Sequence, residues 1–141
     1  MPVRGVLTRK KMLVLTSALF AMPAILGVLF SRPWFASLYG ALAVVSTTYH
    51  YTKNRTWLYL DYPLCYSITI LLAHEAFCQR LMPMFLLGGG AVFILFWGGW
   101  VSRRMVFSPH APEKLAAHSL MHLIVNLSAC ALLLHSSKSA P

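Results

Sequence analysis

Five apolar stretches, each about 20 residues long, limit the fold of this chain more than any other feature. They cover residues 12–30, 34–51, 57–77, 83–101 and 112–135. At 1.5 Å per residue, about 20 helical residues cross the roughly 30 Å hydrocarbon layer of a membrane. Because backbone polar groups in lipid must find partners within their own segment, each stretch is predicted to be a helix.

The composition agrees with a membrane environment. Of the 141 residues, 58% are hydrophobic and only 11% are charged. So few charges cannot cover the surface of a soluble protein of this size. The predicted fold class is therefore all-α: a polytopic transmembrane helical bundle of about five spans, in a single integral membrane domain over residues 1–141.

The basic residues predict an orientation, because most of them fall on one side of that topology. Nine of the twelve lie on the side of the N-terminus: Arg4, Arg9, Lys10, Lys11, Lys53, Arg55, Arg103, Arg104 and Lys114. The other side has Arg32, Arg80 and Lys138. The positive-inside rule then predicts an N-terminus on the cytoplasmic side, or on the equivalent side of an organelle membrane. Nucleic acid is not an expected partner, since these residues mark helix ends rather than a basic surface interleaved with aromatic residues.

Five polar residues interrupt the apolar stretches. Ser46 and His50 are four residues apart, as are His118 and His122, so each pair lies on one helix face, one turn apart. Asp61 lies near the start of the third stretch. An Asp inside a membrane helix costs about 2.5 to 3.5 kcal/mol, so it needs a partner or a role. In the predicted topology all five residues lie toward the cytoplasmic side and can converge.

This convergence predicts a metal site. Zinc in catalytic sites commonly takes three protein ligands and leaves one position open, and neutral imidazole suits it. His50, His118 and His122 are the predicted ligands. Asp61 is predicted either to support the ligands from outside, where its carboxylate balances the metal charge, or to be the base for the bound water. Ser46 can hydrogen-bond to Asp61 or donate to the oxygen that becomes negative during the reaction.

Each signal also has an ordinary structural interpretation. A His-x-x-x-His pair on a water-facing helix is usually a solvated pair. Ser46 can bond to its own helix backbone. Asp61 can cap a helix whose first turn is marked by Pro63. The common depth of the five residues favours the metal site over these alternatives.

The order of these residues resembles a known superfamily. Ser-x-x-x-His on the second span, Asp on the third and His-x-x-x-His on the last resemble the CREST superfamily of membrane hydrolases, which includes alkaline ceramidases and the progestin and adiponectin receptors. The resemblance implies that Ser46, His50, Asp61, His118 and His122 occupy its metal-site positions. It also implies a zinc-dependent amidase or esterase with a membrane lipid as substrate or ligand. The superfamily typically has seven spans, whereas five are predicted here.

Two other functions remain open from the sequence. A shortened scaffold suits a non-catalytic subunit of a larger membrane complex with neighbouring membrane subunits. A haem anchor with histidine ligands is also conceivable. However, His118 and His122 share one helix face and cannot bind opposite sides of one haem, and Ser46 and Asp61 stay unexplained. An endomembrane and the inner mitochondrial membrane are both compatible locations for a multi-pass protein of this kind.

Overall fold

The chain is helical throughout the residues that the structure describes. The structure is a computed structural model that describes residues 4–101 and 112–138, with side chains for residues 11–95, 97 and 117–137. The helices are α1 (Arg4–Ala18), α2 (Ala21–Leu29), α3 (Pro33–Thr52), α4 (Arg55–Cys78), α5 (Met82–Val101) and α6 (Pro112–Lys138). The predicted all-α class is confirmed, and each predicted stretch from residue 34 onward coincides with one helix. Arg103 and Arg104 lie outside the described residues.

The first apolar stretch is not one helix, which corrects the prediction for residues 12–30. Helix α1 ends at Ala18 and α2 begins at Ala21. The cause is Pro23, which has no N–H to donate to the carbonyl of Leu19 four residues earlier. That carbonyl instead accepts a hydrogen bond from the N–H of Met22 at 2.9 Å. This tighter turn bends the segment, and the residues on both sides of it are apolar.

A short turn joins α3 to α4 and brings two predicted site residues to the same end of the bundle. Lys53 adopts a left-handed conformation, with φ of 59°, that ends α3. Asn54 then caps α4, because its Oδ1 accepts a hydrogen bond from the backbone N–H of Thr56 at 3.0 Å. His50 near the end of α3 and Asp61 near the start of α4 therefore lie at similar depth.

Helices α3 and α6 lie on either side of a shared interior. Helices α1, α2 and α4 each pack against both of them, and α5 packs on the outside against α4 and α6. The apolar core fills the half of the bundle that contains the α2–α3 turn; its buried residues are Phe20, Phe35, Tyr39, Leu42, Ile68, Leu72, Ala76, Ala129, Leu132 and Leu133. The other half of the interior is left for polar side chains.

The outer surface of the bundle is unusually apolar for a soluble protein. Large apolar side chains point outward, and Leu87, Phe77 and Trp34 are each more than 70% exposed. Two helical stretches, Lys11–Leu29 and Ala117–Ser137, are long and apolar enough to cross a membrane, with mean hydropathies of 2.2 and 1.7. Apolar surface of this extent needs lipid or a protein partner to cover it.

Candidate metal centre

Three buried imidazoles meet in the interior between α3 and α6. One ligand atom from each of His50, His118 and His122 lies within 4.8 Å of the other two. The ring centroids are 4.9 Å apart for His50 and His118, 5.4 Å for His50 and His122, and 4.6 Å for His118 and His122. The structure therefore brings together the three residues that the sequence proposed as ligands.

Apolar side chains close this cluster from outside. The three histidines are between 2% and 8% exposed. The ring of Phe20, which lies in the turn between α1 and α2, is 5.1 Å from the ring of His122 between centroids. The bend in the first segment thus places an aromatic side chain over one of the candidate ligands, and this contact keeps water from that side of the imidazole.

The hydrogen bonding of His50 indicates whether the cluster fits a metal. Its Nε2 is buried and has no hydrogen-bond partner among the described residues. A buried polar atom without a partner is costly, and a metal ion would use its lone pair. Ligand nitrogens in a tetrahedral zinc site are about 3.4 Å apart, so only small movements are needed to close the observed spacing. The donor set fits zinc, and imidazole also suits copper, iron and nickel.

Lys53 sets one condition on metal binding. Its Nζ is 3.4 Å from Nδ1 of His50. A metal on Nε2 leaves the His50 proton on Nδ1, which turns this contact into one between two donors. The Lys53 side chain is half-buried at the α3–α4 turn, and its Nζ also lies 5.3 Å from the centroid of the Tyr49 ring. Metal binding therefore requires a different position of this ammonium group.

Two hydroxyls of α1 orient His122. Thr16 Oγ1 and Ser17 Oγ lie 3.3 and 3.4 Å from its Nδ1. Both hydroxyls donate to the carbonyl of Leu13, at 3.2 and 2.8 Å, so they face the imidazole as acceptors. Nδ1 of His122 then carries the proton, and Nε2 keeps the lone pair that a metal needs.

Asp61 stands next to the histidine cluster rather than in it. It does not belong to the group of side chains within 4.8 Å of one another. The carboxyl is buried, and its Oδ1 has no hydrogen-bond partner in the described part of the chain. The Ser46 hydroxyl is close enough to interact with this carboxyl and lies 3.3 Å from Ser17 Oγ. Ser46 therefore lies between Asp61 and Ser17, and Ser17 contacts His122.

The structure excludes two of the ordinary interpretations. Asp61 does not cap α4, because that helix begins at Arg55 and Asn54 is its cap. Asp61 lies almost two turns inside the helix, buried toward the interior. Ser46 makes its hydrogen bond with Ser17 of α1 rather than with its own backbone. Both side chains therefore point to the same interior as the three imidazoles.

The sequence interpretation missed Thr16 and Ser17. A signal was available, because they are adjacent hydroxyl residues inside an otherwise apolar stretch. Their depth from the N-terminal end also matches that of the histidines. A hydroxyl can satisfy itself on its own helix, however, so only the packing of α1 against α6 shows their contact with His122.

The chain was compared with protein-family models, with curated proteins and with solved structures, and none of them matches. The resemblance to the CREST superfamily therefore stays a prediction that rests on five residues and their order. What the structure adds is the arrangement itself: three converging imidazoles, with two serines between them and a buried carboxyl group.

Proposed function

We propose that this chain is a multi-pass membrane protein and a zinc-dependent hydrolase that cleaves an amide or ester bond of a lipid. The observation that carries the proposal is the buried cluster of His50, His118 and His122, with ligand atoms within 4.8 Å of one another. Buried imidazoles of this number need a common ligand or a network of hydrogen bonds. The unpartnered Nε2 of His50 favours the common ligand.

The proposal includes five spans with the N-terminus on the cytoplasmic side or its organellar equivalent. The exposed apolar side chains and the two apolar helical stretches support a membrane location. Helices α3 and α4 have a lower mean hydropathy than these two stretches. Ser46, His50 and Asp61, which are buried toward the interior of the bundle, contribute to the lower hydropathy of these helices.

The three histidines would hold the ion through their imidazole nitrogens. When bound, zinc acts as a Lewis acid and makes water a stronger nucleophile near neutral pH. Thr16 and Ser17 keep His122 in the tautomer that can bind. Phe20 excludes bulk water from one side of the cluster. These are contributions of the chain itself and depend on the packing of α1 against α6.

Asp61 is the proposed general base. Its Oδ1 is free to accept a proton, and carboxylates in this role typically contribute about 10²- to 10⁴-fold to the rate. Ser46 has one proton to donate. It donates that proton to Ser17 Oγ at 3.3 Å, which favours a role in positioning the side chains around Asp61 over donation to the reacting oxygen. Ser46 is therefore proposed as a positioning residue.

The depth of the cluster suits the carbonyl groups of lipids. His50 lies two residues before the end of α3, about 3 Å along the helix axis. Asp61 lies six residues after the start of α4, or about 9 Å. The ester and amide groups of membrane lipids lie at this boundary between hydrocarbon and headgroups. A lipid amide or ester is therefore the substrate class that the position favours.

One observation favours the second candidate, a non-catalytic subunit of a membrane complex. The imidazoles are almost completely covered, and a substrate carbonyl needs an opening to reach them. A structural metal needs no such opening, since closed sites suit structural ions. In that case the outward apolar faces would contact neighbouring subunits.

Metal analysis and lipid hydrolysis of the purified full chain separate these functions. The hydrolase predicts about one equivalent of zinc, no haem absorption band, and fatty acid release from ceramide-like or phospholipid substrates. Asp61→Asn should keep the zinc and lower this release at least about 100-fold, because it removes the base but keeps size and hydrogen bonding. Glu113→Gln, the same kind of change at another acidic residue of the chain, is the control. Zinc with no release by the unmutated protein in native lipid would support the subunit instead.

A further inference from the structure

A second polar site lies at the opposite end of the bundle from the histidines. A cavity of about 490 Å³ opens there between the α2–α3 turn and the ends of α4 and α6. This volume is within the range of about 300 to 1,000 Å³ that is typical of small-molecule sites. The lining residues that matter for its chemistry are Arg32, Glu75, Gln79, Arg80 and Ser136. None of them belongs to the candidate metal centre.

Three elements hold this site together. The Arg32 guanidinium donates to the hydroxyl of Ser136 on α6. Nη1 of Arg32 lies 3.8 Å from Oε1 of Glu75 on α4. The other oxygen of Glu75 accepts a hydrogen bond from the Gln79 amide at 3.1 Å. The Arg32 side chain stays 43% exposed, so some of its five N–H donors still face the opening. The charged groups are thus fixed before any ligand arrives.

Arg80 supplies a second guanidinium at the rim. It lies in the turn after α4, where its φ of 58° and the hydrogen bond from its N–H to the carbonyl of Phe77 fix the backbone. Its side chain lines the cavity and makes no hydrogen bond or ion pair with any residue in the described part of the chain. The cavity therefore presents two guanidinium groups and one carboxylate.

These charges match a zwitterion better than a simple anion. Guanidinium groups bind phosphate through paired hydrogen bonds, whereas a ligand with only negative charge would also face the carboxylate of Glu75. That carboxylate suits an ammonium group. Quaternary ammonium groups are usually bound by cages of aromatic rings. The described residues that line the cavity include no Phe, Tyr or Trp, so a primary ammonium, which can donate hydrogen bonds, fits better.

We propose that this cavity binds a phosphoethanolamine group. The phosphate contacts Arg32 and Arg80, and the ammonium contacts Glu75. Trp34, two residues after Arg32, is 71% exposed, as expected for an aromatic residue at the membrane interface. This position places the cavity at the level of the headgroups, so the group can come from phosphatidylethanolamine or from a soluble compound. The proposal rests on the membrane location but not on the metal or on hydrolysis.

Lipid retention by the full chain tests the proposal. The protein is reconstituted with phosphatidylethanolamine, phosphatidylcholine and phosphatidylglycerol of matched acyl chains, and bound lipids are counted by native mass spectrometry. We expect about tenfold preferential retention of phosphatidylethanolamine over each of the others. Arg80→Gln should lower that retention about tenfold, and Glu75→Gln should remove the preference. Arg55→Gln at the other end of the bundle is the matched control and should change neither.

Competition identifies the source of the group. Soluble phosphoethanolamine, phosphocholine and inorganic phosphate are each added to the same samples. Selective displacement by phosphoethanolamine supports the site chemistry, and binding of this compound without lipid retention assigns the soluble source. Equal retention of the three lipids without selective competition overturns the proposal, as does an equal effect of Arg55→Gln. Metal content is measured on the same samples. Bound zinc without any preference among the lipids would mean that the phosphoethanolamine site fails while the metal centre stands.

Discussion

The two ends of the bundle differ in how far they bury their polar side chains. At the histidine end, Ser46 and His50 are 1% and 2% exposed, and the carboxyl-bearing Asp61 is 8% exposed. At the opposite end, Arg32 and Glu75 form a loose ion pair that opens to the outside. Burial of uncharged polar groups is affordable in an apolar surrounding, whereas charges need water or headgroups nearby. Depth and partners, rather than residue type alone, therefore separate the roles of the two clusters.

Unpartnered atoms sharpen this comparison. Nε2 of His50 and Oδ1 of Asp61 lack hydrogen-bond partners among the described residues, and both are buried. At the other end, both oxygens of Glu75 have contacts. Oε1 of Gln79 at that end is buried and also lacks a partner among the described residues. Each end therefore leaves an acceptor for a ligand, inside the bundle at the histidine end and in the open cavity at the charged end. The charged end is already held together and offers a ligand its remaining donors.

The largest expected effect concerns topology, because it is all or none. If the two clusters face opposite sides of a membrane, cysteines at Lys53→Cys and Lys138→Cys should react with an impermeant reagent from opposite sides. The background lacks Cys65, Cys78 and Cys130. The physical reason is that, in the proposed topology, α3 to α6 cross the bilayer in alternation. Reaction of both positions from one side would contradict the five spans.

Loss of one imidazole should nearly empty the metal site. We expect His122→Ala to lower bound zinc from about one equivalent to less than about a tenth, because a site of two imidazoles binds the ion far more weakly. His135→Ala, on the same helix but at the charged end, should leave the zinc content unchanged. Elemental analysis of both purified variants measures this. Equal zinc content in the two variants would show that the metal does not bind at the histidine cluster.

The hydroxyls of α1 should have a smaller effect on the same site. Ser17→Ala removes an acceptor from Nδ1 of His122, and loss of such a supporting group typically weakens metal binding about 10- to 100-fold. Ser67→Ala is a matched control, because Ser67 also bonds to its own helix backbone but contacts no histidine. Zinc titration with a competing chelator gives the two affinities. A similar affinity in both variants would show that Ser17 only packs.

The smallest effect is expected at the charged end. Arg32→Ala removes the contacts with Glu75 and Ser136, but the guanidinium is partly exposed, so the free energy of unfolding should fall by only about 0.5 to 1 kcal/mol. Arg55→Ala, at an exposed position at the start of α4, is the control. Thermal unfolding in the same detergent compares them. A loss of more than about 3 kcal/mol would indicate that this ion pair is buried in the native membrane.

Asp61 shows what a local sequence pattern can predict and what it cannot. The sequence placed it at the right depth and left two interpretations open, a helix cap and a site residue. Asn54 settles the local part of this question, because it caps α4 seven residues before Asp61. The link from Asp61 through Ser46 to Ser17 joins residues of three helices, and no spacing along the chain specifies it.

Local physics explains what the sequence determined by itself. Apolar length fixed the positions of α3 to α6, and the four-residue spacing of His118 and His122 fixed their common face, because helix geometry depends only on neighbouring residues. The tertiary structure decided the rest. Packing of α1 against α6 brought Ser17 to His122, and three separate elements met to form the cavity at Arg32. Contacts between residues about 100 positions apart depend on how whole helices fill a common interior, and no local pattern contains that information.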